Sequence, residues 1–84
     1  MRVIFDGAGD RAYVYLTDFE DADVQRSYWL VEHDVKGDFI FDFDTRGCLL
    51  GFEVRFASGA IPNAVLDAAE RVSSDRFASL TNRD

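Results

Sequence analysis

The sequence predicts an α+β fold: an antiparallel β-meander of about five strands with one C-terminal α-helix packed on one face. Three observations carry this prediction. From Phe39 to Ser58 the chain alternates apolar and polar residues with period two about a central turn; three further segments upstream have strand-forming composition; and apolar residues recur at helical spacing after Pro62. Of 84 residues, 48% are hydrophobic, including eight Phe, three Tyr and one Trp, which is enough to build a core. A chain this short hides only roughly 60% of the surface that its unfolded form exposes, so one domain is expected over 1–72. Residues 73–84 form a C-terminal tail that either adds a turn of helix or frays.

The elements follow in order. Val3 to Asp6 begins as a strand, and Asp6-Gly7-Ala8-Gly9-Asp10 is a loop of turn residues. Ala12 to Leu16 is a second strand, with Ala12, Val14 and Leu16 on one face and Tyr13 and Tyr15 on the other, so both of its faces offer apolar surface. Thr17 to Asp23 is an acidic surface connection. Val24 to Val31, containing Tyr28, Trp29, Leu30 and Val31, favours a third strand. The segment from Glu32 to Asp38 turns the chain into the hairpin.

In the hairpin, Phe39, Phe41 and Phe43 share one face of a strand, as do Leu50, Phe52, Val54 and Phe56 of the next. Asp42, Asp44, Glu53 and Arg55 point the other way. Asp44-Thr45-Arg46-Gly47 is the turn, where Asp can bond its own backbone and Gly can adopt positive φ. After Pro62, a favoured first-turn residue, Ile61, Val65, Ala68, Ala69 and Val72 mark an amphipathic helix over Asn63 to Val72. Five strands span roughly 19 to 24 Å, whereas such a helix is about 16 Å long and about 10 Å wide. One helix cannot cover the sheet. Either the sheet curls, or aromatic surface near Tyr13, Tyr15, Tyr28 and Trp29 meets a second copy or another protein.

Charge bounds the partners. A net charge of −7 repels phosphate backbones and anionic membrane surfaces, so neither nucleic acid nor membrane is expected. The N-terminal MRVIFDGAGD lacks the apolar run of a secretory signal, which predicts a cytoplasmic protein. The single cysteine, Cys48, is expected to be a buried or half-buried small residue.

Four constellations bear on chemistry. Asp42, Asp44, Gly47, Leu49 and Glu53 overlay positions one, three, six, eight and twelve of a calcium-binding EF-hand loop. Arg46 at position five and the strand-like flanks argue for a hairpin turn, so Asp42, Asp44 and Glu53 are an alternative metal or small-ligand set. His33, the only histidine, sits beside Asp34 in a loop, and a dyad would have to recruit a distant hydroxyl such as Ser27. The Gly7-Ala8-Gly9 loop lacks the third glycine, lysine and following helix of phosphate-binding loops. Glu20, Asp21 and Asp23 are carboxylates of the kind that any acidic surface carries. No catalytic residue and no cofactor is expected.

The segments MRVIFD, DRAYVYLTD and FDFDTRGCLLGFEV, followed by AS and IP, closely resemble the YuzE-like bacterial family, domain of unknown function 2283. The likeness runs from Met1 to about Ala69, is weakest from Phe19 to Gly37, and includes the DxDxxGxLxGxEV hairpin in order. It implies a cytoplasmic one-domain protein of unassigned activity. Some family members look like partners of small toxin-like proteins, which suggests an antitoxin-like role. The resemblance transfers no catalytic residue. Residues and resemblance lead to one expectation: a non-catalytic protein-interaction module, self-associating as a homodimer, with a basic protein as a further partner.

Overall fold

The computed structural model describes residues 1–83; Asp84, in the predicted tail, lies outside the described residues. The fold is α+β. Six strands, β1 (Arg2–Asp6), β2 (Arg11–Tyr15), β3 (Arg26–Leu30), β4 (Asp38–Phe43), β5 (Leu49–Arg55) and β6 (Glu70–Arg71), are joined by helices α1 (Ala57–Ala60), α2 (Asn63–Ala68) and α3 (Ser74–Thr81). The sheet order is β3-β4-β5-β2-β1-β6, with every neighbouring pair antiparallel except β1 and β6.

This order differs from a simple meander. The β1–β2 hairpin docks its second strand onto β5, with Ala12 opposite Val54 and Tyr13 opposite Glu53. As a result β3 stands at one edge of the sheet. The central hairpin forms as its alternation requires: Gly47 adopts φ 82° and its N–H donates to the Asp44 carbonyl at 3.1 Å. Cys48 is exposed in this turn, contrary to the buried position expected, because its backbone completes the turn and leaves the side chain outside the sheet.

The helical layer is divided between two faces. On the first face, Phe5, Ala12 and Val54 form a core with Ala57 and Leu66, flanked by Phe39, Phe52 and Ile61. Asp10 positions α1 there, its carboxylate accepting from the Ser58 N–H and hydroxyl at 2.8 Å each. The helix expected to run to Val72 stops at Ala68. Ala69 turns to extended backbone and the chain adds β6 beside β1, with the Val72 N–H donating to the Phe5 carbonyl at 3.0 Å. A strand partner thus competes successfully with the last turn of a short helix.

The stretch left open as tail is α3, and it covers the opposite face. Ser73 caps it by accepting from the Arg76 N–H at 3.2 Å. Phe77, fully buried, packs with Ile4 and Tyr13, and Val72, Leu80, Tyr15 and Phe19 surround them. Truncating such a residue to Ala costs about 3–5 kcal/mol. Two thin layers therefore replace the single helix expected, and they leave the β3 edge uncovered.

Candidate functional site

Strand alternation places Tyr13, Ser27, Ile40, Asp42, Glu53 and Arg55 on the α3 face. Asp42 and Glu53, which alternation points away from the Phe face as surface carboxylates would, are 2% and 0% exposed. The reason is α3, whose apolar plug Phe77 closes the face and brings Arg83 over the carboxylates. Buried carboxylates require donors, and each here has them.

Asp42 collects three. The Tyr13 hydroxyl donates to Oδ2 at 2.5 Å, the Ser27 hydroxyl donates to Oδ1 at 2.6 Å, and the Arg83 guanidinium also donates to Oδ1. Glu53 accepts from Arg55 Nε at 3.0 Å on Oε2 and from Arg83 at 3.4 Å on Oε1. Arg83 therefore bridges two carboxylates from adjacent strands, with its guanidinium 5.8 Å from the centre of the Tyr13 ring. Burial alone would lower the Arg83 pKa, but the hydrogen bond and charge of Asp42 outweigh it and hold the group above its ordinary value. Burial, followed by the bond to Asp42, raises the Tyr13 phenol well above its ordinary range. A cleft of about 260 Å³ opens beside Arg83, lined also by Tyr13, Tyr15, Phe19 and Leu80.

A third buried carboxylate anchors the other end of α3. Asp6 accepts from the Gly9 N–H at 3.1 Å, Arg11 Nε at 3.1 Å and the Ser74 hydroxyl at 2.8 Å. Arg11 in turn lies 4.5 Å over the Phe77 ring. The Gly7-Ala8-Gly9 loop thus serves to wrap Asp6.

The structure separates the residues grouped from sequence. Asp44 stays in the surface turn, its Oδ1 accepting from the N–H groups of Arg46 and Cys48 at 2.9 Å each, so it does not converge with Asp42 and Glu53. Among the described residues, no group of three or more His, Cys, Asp and Glu side chains is placed to hold a metal. His33 is exposed in the loop before β4, and among the described residues no hydrogen bond joins it to Ser27 or Asp42.

The four aromatics expected on one interaction face also divide. Tyr13 is buried and Tyr15 is half-buried beneath α3, with ring centroids 4.6 Å apart. Tyr28 and Trp29, 52% and 59% exposed, project from opposite faces of edge strand β3. Only these two remain on the surface. Sequence reasoning missed Arg83; the signal available was the apolar reverse face of β2, which requires a cover such as Phe77 and Leu80.

No helix among the described residues is long and apolar enough to cross a membrane. No family model, curated protein or solved structure matches the chain, so the family resemblance rests on the quoted residues alone.

Proposed function

We propose that this is a cytoplasmic, non-catalytic protein-interaction module of YuzE-like type, and that it self-associates by pairing β3 with β3 of a second copy. The observation that supports this most is the contrast between the sheet's two edges. The β6 edge is two charged residues long, the kind of edge that resists pairing. The β3 edge is five residues long and carries Tyr28 and Trp29, with Val31 65% exposed just beyond it. Next to it, Phe43 meets Tyr28 edge-on at 5.6 Å, and Phe39 and Phe41 stack at 6.0 Å, forming a half-buried aromatic ridge whose Phe39 end reaches the core beneath α1 and α2.

The charges along this segment favour a second copy placed antiparallel. Arg26 lies at one end and Glu32 and Asp34 at the other. A two-fold pairing centred on Trp29 sets Arg26 against Glu32 twice, whereas a parallel pairing sets like charges together. The antitoxin-like role implied by the resemblance suits such a module, with the acidic surface meeting a basic protein.

Light scattering across a concentration series tests the reading. The expected mass is twice the 9.5 kDa of the chain. Arg26→Glu should weaken the dimer and Arg26→Glu with Glu32→Arg should restore it. A monomer at every concentration overturns the proposal.

A further inference from the structure

We infer that the cleft between β3 and the β4–β5 turn receives the Glu32–Val35 loop of a second copy, with Arg46 pairing to that copy's Asp34. The inference rests on the β3 pairing proposed above and extends it to residues outside the strand. Area is the first argument. A five-residue strand is about 17 Å long, and a strip of that length and about 10 Å in height buries only roughly 200 Å² of each copy. A stable dimer needs about 800 Å² from each partner. Surface beside β3 must therefore join the contact. The two-fold centred on Trp29 determines which surface that is, because it sets Gln25 of one copy beside His33 of the other, and Val24 beside Asp34.

At that end of β3 lies a cleft of about 690 Å³, lined by Gln25, Arg26, Tyr28 and Phe43 and by the turn residues 44–47. Tyr28 and Phe43 give it an aromatic floor. Arg26 and Arg46 are exposed at its rim, and among the described residues neither makes an ion pair; Arg26 donates instead to the Tyr28 hydroxyl at 3.3 Å. Asp44 also lines the cleft, but its Oδ1 accepts within the turn, from the N–H groups of Arg46 and Cys48. In a chain of net charge −7, a corner with two such guanidinium groups selects an acidic occupant. The loop of a second copy is one. Glu32 and Asp34 are exposed on it, and Val35, 39% exposed, adds an apolar side chain for the floor. The loop is also held in shape. The Val35 N–H donates to the Glu32 carbonyl at 3.4 Å, and Gly37, at φ 80°, lies where a Cβ would be 2.6 Å from the Arg55 carbonyl oxygen. A loop already held loses little freedom on docking. The turn and the second copy's strand are two strand spacings apart, about 10 Å, a gap that an extended arginine crosses to meet an aspartate.

The test is the dimer dissociation constant of the full chain, measured by sedimentation equilibrium. Arg46→Glu should weaken the dimer about tenfold or more, because the two-fold breaks the pair twice and sets like charges together. Asp34→Arg should weaken it to a similar extent, and the two changes together should regain most of the loss. Arg76→Glu, which alters net charge equally but lies on α3 beside the opposite edge of the sheet, should have a much smaller effect. These side chains are exposed, so every variant should keep the circular dichroism of the unaltered chain. Equal weakening by Arg46→Glu and Arg76→Glu, or no recovery in the double variant, overturns the inference. No effect of Arg46→Glu also overturns it and leaves the cleft to an acidic segment of a different protein. A chain that stays monomeric removes the β3 pairing and this inference together. Recovery by the Arg26–Glu32 exchange without recovery by the Arg46–Asp34 exchange removes this inference alone.

Discussion

Tyr13 and Asp42 lie on strands that are not neighbours, yet the Tyr13 hydroxyl donates to Asp42 Oδ2 at 2.5 Å across the intervening β5. This bond links β2 to β4 above the sheet and gives a buried carboxylate one of its three donors. Replacing Tyr13 with Phe removes that donor while keeping the ring. A hydrogen bond to a charged group contributes about 1.5–3 kcal/mol, so urea denaturation should show a loss of that size. Tyr28→Phe, at an exposed position, should stay within about 0.5 kcal/mol. Equal effects from the two variants would show that the bond contributes nothing.

The span from Tyr13 to Asp42 depends on Gly51. In register Gly51 stands between Tyr15 and Asp42, and the Tyr13 ring crosses it. A Cβ at this position would lie 2.5 Å from the Val14 carbonyl oxygen and 2.7 Å from Tyr13 Cε1. Gly51→Ala should therefore destabilise by about 1–3 kcal/mol, the usual cost of overpacking. Combined with Tyr13→Phe its cost should be less than additive, because both changes damage the same bond. Strict additivity in a double-mutant cycle would break the proposed dependence.

The hairpin was legible in the sequence because period-two alternation and a glycine turn are local signals that survive without tertiary context. Its reverse face was misread for a physical reason. Asp42 and Glu53 alternate with Phe residues as solvated carboxylates do, and their burial is decided by Phe77 and Arg83, which approach from distant positions in the chain. Pattern along one strand carries no information about a cover supplied by another segment. The clue present in β2, apolar on both faces, pointed to a second layer without saying which residues form it. Strand order likewise depended on the choice of β2 over β1 as the partner of β5, and both have strand-forming composition. The break after Ala68 turned on a two-residue strand too short to have a periodicity.

At alkaline pH the buried phenols should govern stability. Burial is the main cause that raises the Tyr13 phenol, with the Asp42 bond next, and burial likewise raises Tyr15 against the opposing charge of Arg2. A folded pKa above the unfolded one means that the native chain binds more protons, so this contribution is present in full below about pH 10 and is lost as pH rises beyond it. Absorbance at 295 nm should show Tyr13 and Tyr15 ionising together with the loss of circular dichroism. Ionisation of all three tyrosines in a chain that remains folded would contradict the burial described.

At acid pH the sign reverses at Asp6. Burial alone would raise its pKa, but the Gly9 N–H, then the Ser74 hydroxyl and Arg11, overcome this and hold the carboxyl below its ordinary value. A depressed folded pKa means that the unfolded chain binds more protons, so the stabilisation is present above about pH 4 and declines as pH falls below it. Asp6→Asn should melt lower than the unaltered chain at neutral pH, and the gap in melting temperature should narrow between about pH 5 and pH 2. The Glu70 carboxyl, which Arg2 also lowers, is at the surface and is the same in both proteins, so it cancels in the comparison. The gap reports on α3 as well, since Ser74 at the first turn of that helix donates to Asp6. A constant gap over the whole range would mean that Asp6 is not held as a carboxylate by these donors, and that the first turn of α3 is anchored by Phe77 alone.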